Sequence, residues 1–222
     1  MRLKGKIMER QFTVNDFVSA FEETCHGQHP QSVFRDWAEV TALSIANIMD
    51  PFQESEEWKN REDQYLAIAK KYRPETINLF SDLLGMLTIM FADHIEDYLG
   101  KIYMDLGGNS KTGQFFTPWH LAKMTAAPVA GAGEEAQLIE EPSCGSGSMI
   151  LGMAASLADK GINYQNVMKV TAHDLDSLCV HMCYIQLSLT GIRAKVIQGN
   201  TLANETIKVW YTPSYIWAGD RF

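Results

Sequence analysis

Residues 137–161, QLIEEPSCGSGSMILGMAASLADKG, decide the fold. A short apolar run, QLIE, ends in a cluster of proline, serine and glycine, and that cluster opens into a run of helix-forming residues. The order is strand, turn, helix. Gly145 and Gly147 fall in the turn, where missing side chains let backbone amides and a helix N-terminus approach a ligand closely. It is not a Walker loop, because no Gly-Lys-Ser/Thr follows, and the glycines lack the GxGxxG spacing of a dinucleotide fingerprint. Taken alone, the two glycines fit a purely structural tight turn equally well.

The same alternation continues on both sides. VMKVTAH (167–173), AKVIQ (194–198) and IKVWY (207–211) are short apolar runs, while HLAKMTAAPVA (120–130) and LCVHMCYIQLSLTG (178–191) read as helices. Strands alternating with helices predict βαβ units and a parallel sheet of at most four strands. Upstream the period changes. Val33, Phe34, Trp37, Val40, Leu43 and Ile48 form one helical stripe after Pro30, and Leu79, Leu83, Leu87, Met90 and Phe91 another after Pro74. A charged helix lies between them, with breaks at Asp50-Pro51 and Arg73-Pro74. The glycine-rich GGNSKTG (107–113) separates a helical domain, 1–110, from an α/β domain, 111–222.

Composition narrows the chemistry. With 46% hydrophobic and 21% charged residues, the 222-residue chain is globular, which excludes disordered, collagen-like and coiled-coil descriptions of the whole. Nineteen Lys and Arg against 27 Asp and Glu leave a net charge of −8, so contact with nucleic acid requires a local patch or a basic partner. Cys25, Cys144, Cys179 and Cys183 lack paired CxxC spacing, which argues against a metal site. The N-terminus MRLKGKIMERQF has no apolar signal core, and LLGMLTIMFA (83–92) is shorter than the roughly 20 residues a bilayer requires. The expectation is a reduced, cytoplasmic protein without a membrane segment.

Further candidates lie at strand ends. Asp174 closes the second strand about thirty residues after the turn, where acidic residues of doubly wound folds accept ribose hydroxyls, and Asp176 is placed to cap the next helix. Asn200 ends the third strand, and its amide suits an adenine edge. Thr117 or Pro118 starts a helix beside the same crevice. His120, His173 and His181 sit on or beside apolar elements and read as structural. The aromatics Trp210, Tyr211, Tyr215 and Trp217 suit base stacking, a hydrophobic seal or contact with another chain.

The ordered set GQFFTP (113–118), EPSCGSG (141–147), AHDLD (172–176) and GNTL (199–202) resembles the adenine-specific DNA methyltransferases of the modification subunit of type I restriction systems. The likeness is close over 113–202 and general over the helical part. It implies an α/β chain in which an N-terminal helical bundle precedes a truncated, Rossmann-like domain that binds S-adenosylmethionine. By the same resemblance Thr117 and Pro118 flank the methionine moiety. Glu141, followed by Pro142, faces its ammonium group. Gly145 and Gly147 let the cofactor pass over the loop, Asp174 binds the ribose, and Asn200, where the family has Asp, meets the adenine.

The catalytic element of that family, Asn/Asp-Pro-Pro-Phe/Tyr, is absent. Thr212-Pro213-Ser214-Tyr215 follows the fourth strand instead, making Thr212, Pro213 and Tyr215 the counterparts of the catalytic residues. Tyr215 is suited to stack on an extruded base, whereas Thr212 is a poor acceptor for the adenine amino group. The sequence ends at Phe222, before the strands that complete the family's sheet, so the fourth strand is expected at an edge. Three functions stay open: a restriction-modification-type DNA adenine-N6 methyltransferase homologue, weak or inactive as an isolated chain; a silent homologue with a binding, anti-restriction or regulatory role; and a small-molecule methyltransferase. The implied partners are DNA, directly or through another subunit, and a homodimer or hetero-complex contacting Trp217 and Phe222.

Overall fold

The computed structural model describes residues 11–50, 53–107, 116–129 and 137–219. The N-terminal ten residues, the 110/111 boundary, Gly113 to Phe115 of GQFFTP, and Phe222 lie outside the described residues.

Among the described residues five helices come first: α1 (Val14–Cys25), α2 (Pro30–Ile48), α3 (Glu56–Ala69), α4 (Pro74–Asp93) and α5 (Tyr98–Asp105). Their starts are encoded locally. Thr13 and Asp16 form a reciprocal capping box on α1, Ser55 caps α3, and α2 and α4 begin at proline, whose missing N–H costs a helix nothing in its first turn. Phe17 and Phe21 of α1 meet Phe34 and Trp37 of α2 in aromatic contacts of 5.4 to 5.7 Å, and Trp37 Nε1 donates to the Phe80 carbonyl of α4 at 3.1 Å. Among the described residues α4 alone is long and apolar enough to cross a bilayer. Phe80, Leu83, Leu87 and Met90 are buried, while Ser81, Asp82 and Thr88 face out, so α4 reads as a core helix of the bundle.

The second part runs α6 (Trp119–Val129), β1 (Gln137–Glu141), α7 (Ser148–Asp159), α8 (Tyr164–Val167), β2 (Met168–Asp174), α9 (Ser177–Leu189), β3 (Arg193–Asn200), β4 (Glu205–Tyr211) and α10 (Pro213–Trp217). The sheet order is β1-β2-β3-β4, with β1, β2 and β3 parallel. β4 is antiparallel to β3, which corrects the expectation of four parallel strands. Loop length explains it. Only residues 201–204 separate β3 from β4, whereas a parallel crossover needs a dozen or more residues. Asn200 Oδ1 accepts from the amides of Leu202 and Ala203, and Asn204 takes a left-handed φ of 51°, so a hairpin closes there. β4 lies at the sheet edge, as expected.

Every residue of α9 from Leu178 to Leu187 is buried, because one side covers Val170, Ala172, Ala194 and Val196 of the sheet and the other receives α2 and α5. The core is therefore continuous from bundle to sheet. This packing brings the carboxyl ends of the three parallel strands and the start of α6 to one end of the molecule.

Candidate binding site

The loop from Pro142 to Gly147 leaves β1 and enters α7. Gly145 and Gly147 hold φ of 53° and 97°, in the left-handed region that other residues avoid. A Cβ at Gly145 would stand 3.1 Å from the Phe116 ring, and one at Gly147 would stand 3.2 Å from Cys183 Sγ, so the turn has neither torsional nor steric room for a side chain. Main-chain bonds tie this loop to its neighbours. The Gly145 amide donates to Asp174 Oδ2 at 2.9 Å, and the Cys144 amide to the His173 carbonyl at 2.7 Å. Thr201 Oγ1 donates to the Pro142 carbonyl at 2.9 Å, and Ser148 Oγ to the Thr117 carbonyl at 3.1 Å. The ends of β1, β2 and β3 and the entry to α6 are stitched into one rim.

That rim surrounds a cavity of about 210 Å³ lined by Phe116, Thr117, Ser143, Cys144, Gly145, Ser146, Ser148, Met149, Asp174 and Cys179. Its charge is acidic. Asp174 spends one bond per oxygen on the amides of Gly145 and Asp176, which leaves further lone pairs for a ligand's hydroxyls. Glu141 is half-buried; burial raises its pKa, the bond from the Ser143 amide lowers it, and the charge of Asp174 raises it again. The thiols are not nucleophiles here: the bond to Cys183 and burial push Cys144 well up, and burial pushes Cys179 up. A larger cavity of about 410 Å³ lies between α2, α3 and β4, but its cations are engaged. Arg61 pairs with Asp50, Glu57 and Asn47, while Lys208 bonds Gln64 and sits 4.4 Å from the Trp210 ring centre.

Thr117, Gly145 and Asp174 line the smaller cavity, whereas Glu141 at the end of β1 and Pro142 and Gly147 in the loop flank its lining residues without lining it themselves. Pro118 follows Thr117, and its carbonyl accepts the first bonds of α6 from Leu121 and Ala122. Asn200 reaches the same end of the sheet, where its side-chain oxygen is committed to closing the hairpin. Asp176 caps α9 as expected, donated to by the Leu178 amide at 2.9 Å.

Thr212, Pro213 and Tyr215 are not brought to the crevice. Because β4 runs back along β3, Tyr211 pairs with Lys195 near the start of β3, and the tetrapeptide emerges at the opposite end of the sheet from Asn200. Six residues of strand, at about 3.3 Å each, put Thr212 roughly 20 Å away. Thr212 is fully buried: its hydroxyl donates to the Ile192 carbonyl at 2.8 Å and accepts from the Ala194 amide at 2.9 Å. Tyr215 is buried against Tyr211 at 5.2 Å, and Trp210 packs on His181 and Tyr184, so these rings form a seal. Burial holds His181 down at about 3, the electrostatics of a neutral core histidine. Sequence reasoning missed Phe116, Ser143, Cys144, Ser146, Ser148, Met149 and Cys179 as lining residues; nearness to the glycines was the available signal for residues 143–149 and adjacency to Thr117 for Phe116, while Cys179 is brought in by the fold.

No protein of curated function matches the chain significantly. A methyltransferase subunit of a type I restriction-modification system from Streptococcus thermophilus is 16% identical, with a TM-score of 0.43, over 86% of this chain and 59% of that one. A Listeria monocytogenes protein described as a class I S-adenosylmethionine-dependent methyltransferase is 11% identical, with a TM-score of 0.45, over 88% of this chain and 55% of that one. The chain thus spans between half and two thirds of each. The family described as N-6 DNA Methylase matches residues 90–219, from the last turn of α4 to the end of the described structure. That match covers more than half of the sequence and contains the whole crevice: the chain belongs to the N-6 DNA methylase family.

Proposed function

We propose that the crevice binds S-adenosylmethionine and that the chain serves methylation of adenine N6 in DNA within a restriction-modification-type assembly. The observation that carries this reading is the pairing of a glycine loop and helix start with two carboxylates, Glu141 and Asp174, at adjacent parallel strand ends. Such a site repels the phosphates of a dinucleotide and suits a phosphate-free nucleoside bearing an ammonium group and ribose hydroxyls. The cofactor, when bound, supplies a sulfonium methyl. The chain's residues bind and orient: Glu141 faces the ammonium, Asp174 accepts from the ribose, Thr117 and Phe116 close the opposite wall, and the Gly145 and Gly147 backbone lets the ligand lie close. Direct displacement needs positioning more than proton transfer, and the hydrogen-bonded rim is suited to positioning.

The net charge of −8 favours DNA contact through a more basic partner, and the exposed Trp217 offers a contact for that subunit or a second copy. The buried cysteines, all free thiols, fit a reducing cytoplasm. Calorimetry with S-adenosylmethionine and its demethylated product tests the site, with heat expected from the wild type; silence with both ligands refutes it. Tritiated cofactor with unmethylated DNA, with and without cell extract, tests the assembly, with label expected in DNA only when extract supplies the partner. A second reading, a silent homologue that binds cofactor or partner without transfer, is favoured by the burial of Thr212 far from the crevice. No label in DNA under either condition, with cofactor binding intact, selects it.

A further inference from the structure

Asp97 is the N-cap of α5 and is buried deep in the bundle. Its Oδ1 accepts from the Gly100 amide at 3.0 Å and from Gln186 Nε2 at 2.8 Å, and its Oδ2 bonds Ser146 Oγ at 2.6 Å. Gln186, on α9, also donates to the Ser146 carbonyl at 2.7 Å and accepts from the Leu99 amide at 3.0 Å. One bundle residue, one α9 residue and the residue between the two left-handed glycines thus form a closed, buried ring of hydrogen bonds. Gly100 makes room for it, since a Cβ there would press on Asp97 and stand 2.7 Å from Ser146 Oγ.

We propose that Asp97 is a positioning residue for the crevice: by holding Ser146 it fixes the loop shape that presents Gly145 and Gly147, so the helical bundle sets the affinity of the cofactor site. This rests on reading the crevice as an S-adenosylmethionine site. A merely cohesive core at this place is better served by apolar packing, because buried polar rings cost dearly unless complete. This ring is complete, and it reaches the one loop whose conformation the ligand requires. Burial lifts the Asp97 carboxyl above the usual range against the opposing pull of its hydrogen bonds. Oδ1 accepts twice, and Oδ2 accepts from the Ser146 hydroxyl, so the carboxyl fixes the direction of every bond in the ring. An asparagine keeps the two bonds accepted by Oδ1 and the contact with Ser146, whose hydroxyl turns to accept from the amide.

The test compares wild type, Asp97→Asn, Asp97→Ala, Ser146→Ala and, as a control elsewhere in the bundle, Trp37→Phe, which loses the bond to the Phe80 carbonyl. Two readouts are taken: calorimetric affinity for S-adenosylmethionine, and amide hydrogen exchange of peptide 143–148 without ligand. Asp97→Ala and Ser146→Ala are expected to weaken binding tenfold or more and to speed exchange of the loop. Asp97→Asn is expected to stay within threefold of wild type, and Trp37→Phe to lower thermal stability with affinity and loop exchange unchanged. Wild-type affinity and loop protection in Asp97→Ala, equal weakening by Trp37→Phe, or failure of asparagine to rescue overturns the proposal. If Asp97→Ala does not fold, Ser146→Ala decides from the loop side. If the wild type binds no cofactor, the ligand reading falls, and loop exchange alone still decides whether Asp97 shapes the loop.

Discussion

The two ends of the parallel strands carry similar residue types put to opposite use. At the carboxyl ends, hydroxyls and carboxylates bond mainly to main chain of neighbouring elements and keep acceptor capacity facing a cavity of about 210 Å³. At the amino ends, Thr212 spends its hydroxyl on Ile192 and Ala194, and Tyr215 is buried beneath the edge strand. A hydroxyl-proline-aromatic sequence after a strand is a binding element only where the strand delivers it to the ligand's end of the sheet. Strand direction, not residue identity, separates the two.

The hardest blow to the carboxyl end is Gly147→Leu. The left-handed φ of 97° strains any side chain, and its Cβ alone would crowd Cys183 Sγ. Strain of about 1–3 kcal/mol plus overpacking of similar size predicts affinity lower by on the order of a hundredfold or more, read by calorimetry on protein whose circular dichroism confirms folding. Binding at wild-type strength would place the ligand elsewhere and erase the contrast between the two ends.

Thr212→Val applies the complementary test. The isosteric change leaves the Ala194 amide without its side-chain acceptor and removes the bond to Ile192, so stability should fall by about 1–3 kcal/mol in urea denaturation. Cofactor affinity should not change. A drop in affinity without a drop in stability would mean that this end communicates with the crevice.

Much of this contrast was legible in the sequence, and the illegible part has a definite cause. The strand-turn-helix at 137–161, the aligned ends of β1 to β3 and the caps at Pro30, Pro74 and Asp176 follow from local patterns, because each is fixed by residues within a few positions. The reversal of β4 was missed although its signal was present: four residues after Asn200 do not suffice for a crossover. Reading the Thr-Pro-Ser-Tyr segment by analogy overrode that count and misplaced Thr212, Pro213 and Tyr215 together. The Asp97 bridge is of another kind. Its N-cap role is local, but Ser146 and Gln186 stand 49 and 89 positions away, and only the packing of α5 and α9 beside the loop brings them to it.

Glu141→Gln sharpens the electrostatic half of the comparison. A carboxyl with a raised folded-state pKa holds its proton more tightly when folded, so its contribution is most favourable below the unfolded value of about 4.3 and is lost as pH rises through the raised one. At neutral pH the charged Glu141 therefore costs stability beside Asp174. Glutamine should make the protein more stable there by less than about 1 kcal/mol, given partial exposure, and the gain should vanish in acid. The same change should weaken binding of an ammonium-bearing ligand severalfold. A variant that gains stability and loses no affinity would remove Glu141 from the ligand's ammonium.

Trp217→Ser should have the smallest effect, and that is its value. Of the aromatics at the amino end, Trp210 and Tyr215 are 3% exposed and form the seal, whereas Trp217 in α10 is 75% exposed. Removing an exposed ring that supports nothing beneath it changes stability by no more than about 0.5 kcal/mol, within the range for surface substitutions. Melting should therefore stay within a degree or two of wild type, and cofactor affinity should be unaltered. What should change is association. If Trp217 anchors a second copy, light scattering at matched concentration shows the mass falling to the 25.0 kDa of one chain, while a hetero-complex shows its loss only in pull-down of the partner. A large drop in melting temperature with no change in either assay would move Trp217 from contact surface to core and leave the amino end with a structural role alone.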